Sequence, residues 1–102
     1  MAKGYWIARI DVHNPEGYKD YVAQNGPVLA KYGARFLVRA GKHVPKEGSS
    51  PPRNVVIEFK DYETAIACYN SPEYVRLVAI RSPYAEGDLV IIEGYDGPQP
   101  GA

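Results

Sequence analysis

Two charged side chains fall where the surrounding pattern is apolar, and they are the first places to look for chemistry in this 102-residue chain. Arg81 continues a helical stripe of Tyr74, Leu77 and Val78, so its guanidinium is expected to reach inward and not directly into water. Held there, it can grip a carboxylate or enolate oxygen through two parallel hydrogen bonds. Its ordinary structural job would be to cap carbonyls or to pair with an internal acid. Glu58 is the lone acid in the run Val55-Val56-Ile57-Glu58-Phe59. Desolvation raises the pKa of such a carboxyl unless a cation is near, which makes Glu58 a candidate general base. Pairing with Arg9, on the strand expected alongside, is the favoured structural reading.

Tyrosine is the next signal. Nine Tyr stand beside one Trp and two Phe, and a buried phenol presents an apolar body with a polar tip. Tyr5, Trp6, Tyr21, Tyr69 and Tyr74 are candidate walls of an aromatic cavity, although stripes at helical spacing more often serve a core. The only histidines are His13 and His43. His13 adjoins an expected helix cap, whereas His43 lies in a long loop from which it could swing over a pocket as acid or base. A solvated loop histidine is the plainer account. Two separated histidines and the single Cys68 make no ligand cluster, so no metal site is expected. Cys68 reads as a small apolar filler. With no glycine-rich phosphate loop and no serine nucleophile elbow, no cofactor is expected either.

The elements that must position these residues can be read in order. Gly4 to Val12 is a strand whose Trp6, Ala8, Ile10 and Val12 form an apolar face. Asn14-Pro15-Glu16 combines a cap, a first-turn proline and an acid at the positive helix end. The helix that follows buries Tyr18, Tyr21, Val22, Asn25, Leu29 and Tyr32 and stops at Gly33. Pro27 lacks the N–H that would bond back to Ala23, which predicts a kink or a break into two pieces. Ala34 to Ala40 is a second strand, its arginines marking a sheet edge. Gly41 to Arg53 is a loop or flap, and Asn54 to Phe59 is the third strand. Asp61 caps a helix running through Asn70, and Ser71-Pro72-Glu73 starts another to about Arg81. Tyr84 to Gly87 then turns the chain into a last strand, Asp88 to Gly94.

The order βαββαβ predicts an α+β, ferredoxin-like sandwich with a four-stranded antiparallel sheet and helices on one side. One domain is expected over residues 1–95, with 96–102, rich in Gly and Pro, as a flexible C-terminal tail. The runs Val55-Val56-Ile57 and Leu89-Val90-Ile91-Ile92 do not alternate with polar residues, although too few helices exist to cover both faces of a sheet. Another copy of the chain is the simplest cover, so a homodimer is expected. Twelve basic residues balance twelve acidic ones, giving no global field for nucleic acid or an anionic membrane. No apolar run approaches the roughly 20 residues of a membrane-spanning helix. The single cysteine and the absence of a signal-peptide hydrophobic region point to the cytoplasm.

Several segments carry a resemblance: Tyr32-Gly33, Val56-Ile57-Glu58-Phe59 followed by Ala65, Tyr69-Asn70-Ser71-Pro72-Glu73-Tyr74, Arg81, and Val90-Ile91-Ile92-Glu93-Gly94. Together they resemble the family called domain of unknown function 1330, within the dimeric α/β-barrel superfamily, over about Gly4 to Gly94. The resemblance implies a homodimer whose two sheets face one another. Cys68 stands where the family commonly has tryptophan, which implies a larger or differently shaped pocket if that tryptophan lines it. Superfamily relatives include cofactor-independent monooxygenases, muconolactone isomerase-like enzymes and ligand-sensing modules, so the fold leaves the function open.

The expected function is binding of a small apolar or aromatic metabolite, with an anionic or carbonyl group directed at Arg81. Trp6, Tyr21, Tyr69 and Tyr74 would shape the pocket, and His43 would lie at its mouth. One alternative is a cofactor-independent oxygenase or isomerase using Glu58 or His43 as acid or base. The other is a structural or interaction module without a ligand, its aromatics serving only the cores.

Overall fold

A computed structural model describes residues 2–101, so Met1 and Ala102 lie outside the described residues. The elements run β1 (Gly4–Val12), α1 (Pro15–Lys31), β2 (Arg35–Arg39), β3 (Arg53–Phe59), α2 (Tyr62–Asn70), α3 (Pro72–Arg81) and β4 (Ala85–Glu93). The strands form one antiparallel sheet in the order β2-β3-β1-β4, the ferredoxin-like arrangement that the sequence predicts.

Local chemistry sets most boundaries. Asn14 accepts from the Gly17 amide at the start of α1, Asp61 from the Thr64 amide at α2, and Ser71 from the Tyr74 amide at α3. Gly33, with φ +70°, ends α1 while the Ala34 amide donates to the Leu29 carbonyl. Pro27 does not break α1, which is one continuous helix. Gly26 before it carries no Cβ to collide with the proline ring, and exposed Ala23, whose carbonyl loses its partner, turns that segment toward water.

The last strand begins at Ala85, earlier than its hydropathy suggests. Ala85 to Asp88 complete the ladder with Arg9 to Val12, so the length of β1 draws the expected turn residues into the sheet. Gly87 permits this, because a Cβ there would stand 2.1 Å from the Arg9 carbonyl oxygen.

The two faces of the sheet are unlike. Trp6, Ala8, Ile10, Val55, Ile57 and Phe59 point into the layer covered by the helices and are buried. The Trp6 indole N–H donates to the Ala65 carbonyl at 2.9 Å, tying β1 to α2. On the opposite face, Val38, Val56, Ile7 and Val90 register across all four strands as an apolar row without a helix over it. A bulge between Phe36 and Val38 puts Val38 into that row. Val90 keeps 51% and Ile92 47% of its surface exposed.

Candidate functional site

The helices bring their polar and aromatic residues to one place over the β1, β3 and β4 strands. On α1, Tyr18, Tyr21 and Asn25 follow one another at three- and four-residue spacing and are buried. On α3, Tyr74 and Arg81 are seven residues apart and therefore share a face. Trp6 lies beneath them, its ring centroid 4.8 Å from Tyr74 and 5.5 Å from Tyr69 in edge-on contacts.

Two spaces adjoin this cluster. A cleft of about 300 Å³ is lined by Ile10, Tyr69, Arg81, Ala85, Gly87 and Leu89, with Ser82, Glu86 and Asp88 also on its walls. An inner chamber of about 30 Å³ is bounded by Trp6, Tyr18, Tyr21, Asn25, Arg53, Tyr74 and Arg81, among apolar neighbours. Arg81, Ile10 and Leu89 belong to both walls. The cleft is of ligand size, whereas the chamber has room for a water or a small polar group.

The chamber is lined by donors. The Tyr21 and Tyr74 hydroxyls are hydrogen-bonded to each other. Burial pushes the Tyr74 phenol upward, and Tyr21 beside it adds to the shift. Burial also raises the Tyr18 phenol, against the opposing pull of Arg53 and Arg81. Raised in this way, the Tyr18 and Tyr74 phenols stay protonated, and the Tyr21–Tyr74 pair has one hydroxyl hydrogen free to donate. The Arg81 guanidinium carbon lies 5.4 Å from the centre of the Tyr21 ring, and that of Arg53 lies 5.5 Å from the Tyr18 ring. Among the described residues, no carboxylate stands within 4 Å of either guanidinium. At the cleft rim Glu86 is 3.5 Å from His13, and Asp88 is exposed.

Of the residues singled out from the sequence, Arg81, Trp6, Tyr21 and Tyr74 meet at the chamber, and Tyr69 lines the cleft next to it. Glu58 is elsewhere, on the helix-free face, where it lies 3.8 Å from Arg35 and accepts from the Tyr5 hydroxyl at 3.4 Å. Its ion-pair partner is thus Arg35 and not Arg9, which donates to the Ser49 carbonyl. The edge strand supplies the cation because Arg35 and Glu58 are directly opposite in the β2–β3 ladder. His43 is exposed in the loop and lines neither space. Cys68 is fully buried, its thiol pushed up to about 12 by burial, and is not a wall of either space. No group of three or more His, Cys, Asp or Glu among the described residues is placed to hold a metal ion.

Three polar chamber residues were not singled out as site residues from pattern alone, and one of them, Tyr18, read only as part of a core stripe. Asn25 left a trace, being the one amide on an otherwise apolar and aromatic stripe. Arg53 left none, because it follows two prolines at the end of a loop and reads as a surface cation.

No curated protein matches the chain. Among solved structures, a protein of unknown function from Rhodopseudomonas palustris superposes with a TM-score of 0.70 at 16% identity, covering 97% of this chain and 85% of that one. SnoaB, a cofactor-independent oxygenase from Streptomyces nogalater, gives 0.64 at 13% identity, covering 98% and 99%. A dimeric ferredoxin-like protein of unknown function from Thermobifida fusca gives 0.53 at 16% identity, covering 90% and 89%. At such identities these likenesses speak for the fold alone. The family described as Domain of unknown function (DUF1330) matches residues 3–95, and the chain belongs to it.

Proposed function

We propose that the protein is a cytoplasmic homodimer that binds a small apolar or aromatic metabolite whose anionic or carbonyl group is directed at Arg81. The observation that carries the ligand is Arg81 itself. It is a half-buried cation with no carboxylate within 4 Å among the described residues, at the junction of a ligand-sized cleft and a chamber of hydrogen-bond donors. A buried cation normally has a partner, and here the ligand would supply it. Tyr69 would flank the ligand body in the cleft, while the hydrogen-bonded pair of Tyr21 and Tyr74, which has one hydroxyl hydrogen left over, would donate at its polar end. Space left between helices and sheet also speaks against a module whose aromatics serve only the cores.

Pairing of two copies is supported by the row Val38, Val56, Ile7 and Val90, which a matching sheet would cover. In this reading residues 2–95 are the folded domain and 96–101 a flexible tail, while Met1 and Ala102, the outer ends of the expected ranges, lie outside the described residues. The cytoplasm is the compartment in which the lone thiol of Cys68 needs no partner; no helix of the described residues is long and apolar enough to cross a membrane.

An oxygenase or isomerase would require a base within reach of the substrate. The chamber offers two guanidiniums, an amide and protonated phenols, while the cleft's acids, Glu86 and Asp88, are exposed. Binding is therefore the function carried forward. Titrating the full-length protein with phenylacetate tests it. Arg81→Ala should weaken binding about tenfold or more, the worth of one charge-assisted hydrogen bond, without changing the sedimentation coefficient. An Arg81→Ala protein that binds phenylacetate like the wild type would remove Arg81 from the site.

A further inference from the structure

The outer wall of the Arg81 cleft is the free edge of the sheet. Five consecutive residues, Ala85 to Leu89, line it, whereas a strand that met the cleft with one face would contribute only alternate residues. β4 is also the last strand in the order β2-β3-β1-β4, so it pairs with β1 alone. The ladder fixes which of its groups stay free. The His13 amide donates to the Tyr84 carbonyl and the Gly94 amide to the Lys3 carbonyl, and alternation between these ends assigns Glu86, Asp88, Val90 and Ile92 to β1. Ala85, Gly87 and Leu89 therefore turn their N–H and C=O groups outward, along the wall of the cleft. Gly87, at its centre, has no side chain to screen them. Arg81 bounds the same space, with no carboxylate within 4 Å among the described residues.

We infer that β4 at Gly87 is a strand-pairing subsite, and that the ligand of the Arg81 cleft is an N-acylated α-amino acid with an apolar or aromatic side chain. The inference rests on the reading of the Arg81 cleft as a ligand site and deepens it by naming the ligand class. An extended residue shows its own N–H and its own carboxyl oxygen on one side, and an outward strand residue matches them with one acceptor and one donor. The ligand N–H donates to the Gly87 carbonyl, one carboxylate oxygen accepts from the Gly87 N–H, and the other faces Arg81. The ligand's donor is neutral, because an ammonium group would be repelled by Arg81 and by Arg53, which bounds the adjoining chamber with it. It carries an acyl group because the wall from Ala85 to Leu89 runs for roughly 13 Å at the rise of a strand, and a bare amino or hydroxy acid spans a single residue of it. The volume of about 300 Å³ holds one acylated residue and not a longer peptide. Its side chain lies against Ile10, Tyr69 and Leu89. Groups at an open edge are solvated, so a ligand displaces that water without loss only by offering the same bonds.

The test is calorimetric titration of the full-length protein with N-acetyl-L-phenylalanine, L-phenylalanine, phenylacetate and the acetate ester of L-phenyllactate, in which an ester oxygen replaces the amide N–H. N-acetyl-L-phenylalanine should bind about tenfold more tightly than the ester, the worth of one hydrogen bond, and more tightly than phenylalanine. Amide hydrogen exchange locates the contact. In the free protein Gly87 and Ile91, both turned outward, should exchange fast while Asp88 is protected. Saturating N-acetyl-L-phenylalanine should slow Gly87 and leave Ile91, which lies beyond the cleft, unchanged. If amide and ester bind alike, if phenylalanine binds best, or if Gly87 is unaffected at saturation, the subsite is overturned. A Gly87 amide already protected before ligand is added would assign the edge to a second copy of the chain and overturn it too. In each of these cases, phenylacetate binding that depends on Arg81 leaves the Arg81 reading standing. If none of the four acids binds, both readings fall.

Discussion

The two faces of the sheet are built from neighbouring residues of the same strands and have opposite chemistry. Along β1, Trp6 and Ile10 point into the helix layer and are buried, whereas Tyr5, Ile7 and Arg9 point away from it. The covered face is apolar at its base but holds unanswered polar groups above, at Asn25 and Arg53. The bare face satisfies its central acid, with Glu58 between Arg35 and Tyr5, and leaves its hydrophobes exposed. Each face therefore leaves a different thing open. On the helix side two buried polar atoms have no partner among the described residues, and on the other side exposed hydrophobes have no helix over them.

The largest effect expected on this contrast comes from Trp6, which is 1% exposed and packs on Phe59, Tyr69 and Tyr74. Trp6→Ala should cost about 3–5 kcal/mol, a large part of the stability of a small domain. Urea unfolding would show it, and a loss below about 1 kcal/mol would mean that the helix-side core is assembled otherwise. Ile7, the adjacent residue on the other face, should behave differently. Ile7→Glu places a charge in the apolar row and, counted at two symmetry-related positions, should weaken self-association about a hundredfold. The monomer's fold should survive. Sedimentation across a concentration series, with circular dichroism alongside, separates these outcomes; unchanged association would break the contrast.

Smaller effects sharpen it on the helix layer alone. Lys31 joins α1 to α3 through a 2.6 Å hydrogen bond to Glu73. That bond holds the Glu73 carboxyl below the ordinary carboxylate range and the Lys31 amine above its own. A carboxyl with a depressed folded-state pKa contributes stability above its unfolded pKa and loses it as pH falls through the folded one. The raised lysine contributes below its unfolded pKa and loses that as pH rises through the folded one. The wild type should therefore exceed Glu73→Gln in melting temperature near neutrality, and the gap should close in acid. Both partners are solvated, so the gap should be small; one that persists at low pH would assign Glu73 a different role.

The framework was legible because it is locally encoded. Asn14-Pro15 and Ser71-Pro72 announce helix starts, Gly33 announces a stop, and alternation along β1 separates the faces. Three features were not set by local pattern: two depend on partners distant in sequence and one on exposure to water. β4 starts at Ala85 because β1 is long enough to pair with it, and α1 remains whole at Pro27 where the chain faces water. Glu58 takes Arg35 because the β2–β3 register places them opposite each other. Of the candidate site, the grouping of Arg81, Tyr74, Tyr21 and Trp6 around one space was legible, because their spacing points inward. It was illegible at Arg53, since only the packing of α1 over β3 turns a loop-end cation into a chamber wall.

The most direct test of the division between faces is one NMR titration of methyl-labelled protein with phenylacetate, following arginine Nε–H and methyl resonances together. The Arg81 Nε–H and the Leu89 methyls should shift in proportion to bound ligand while the Ile7 and Val90 methyls stay in place. Shifts confined to Ile7 and Val90, with Arg81 unmoved, would put the ligand on the bare face and overturn the division.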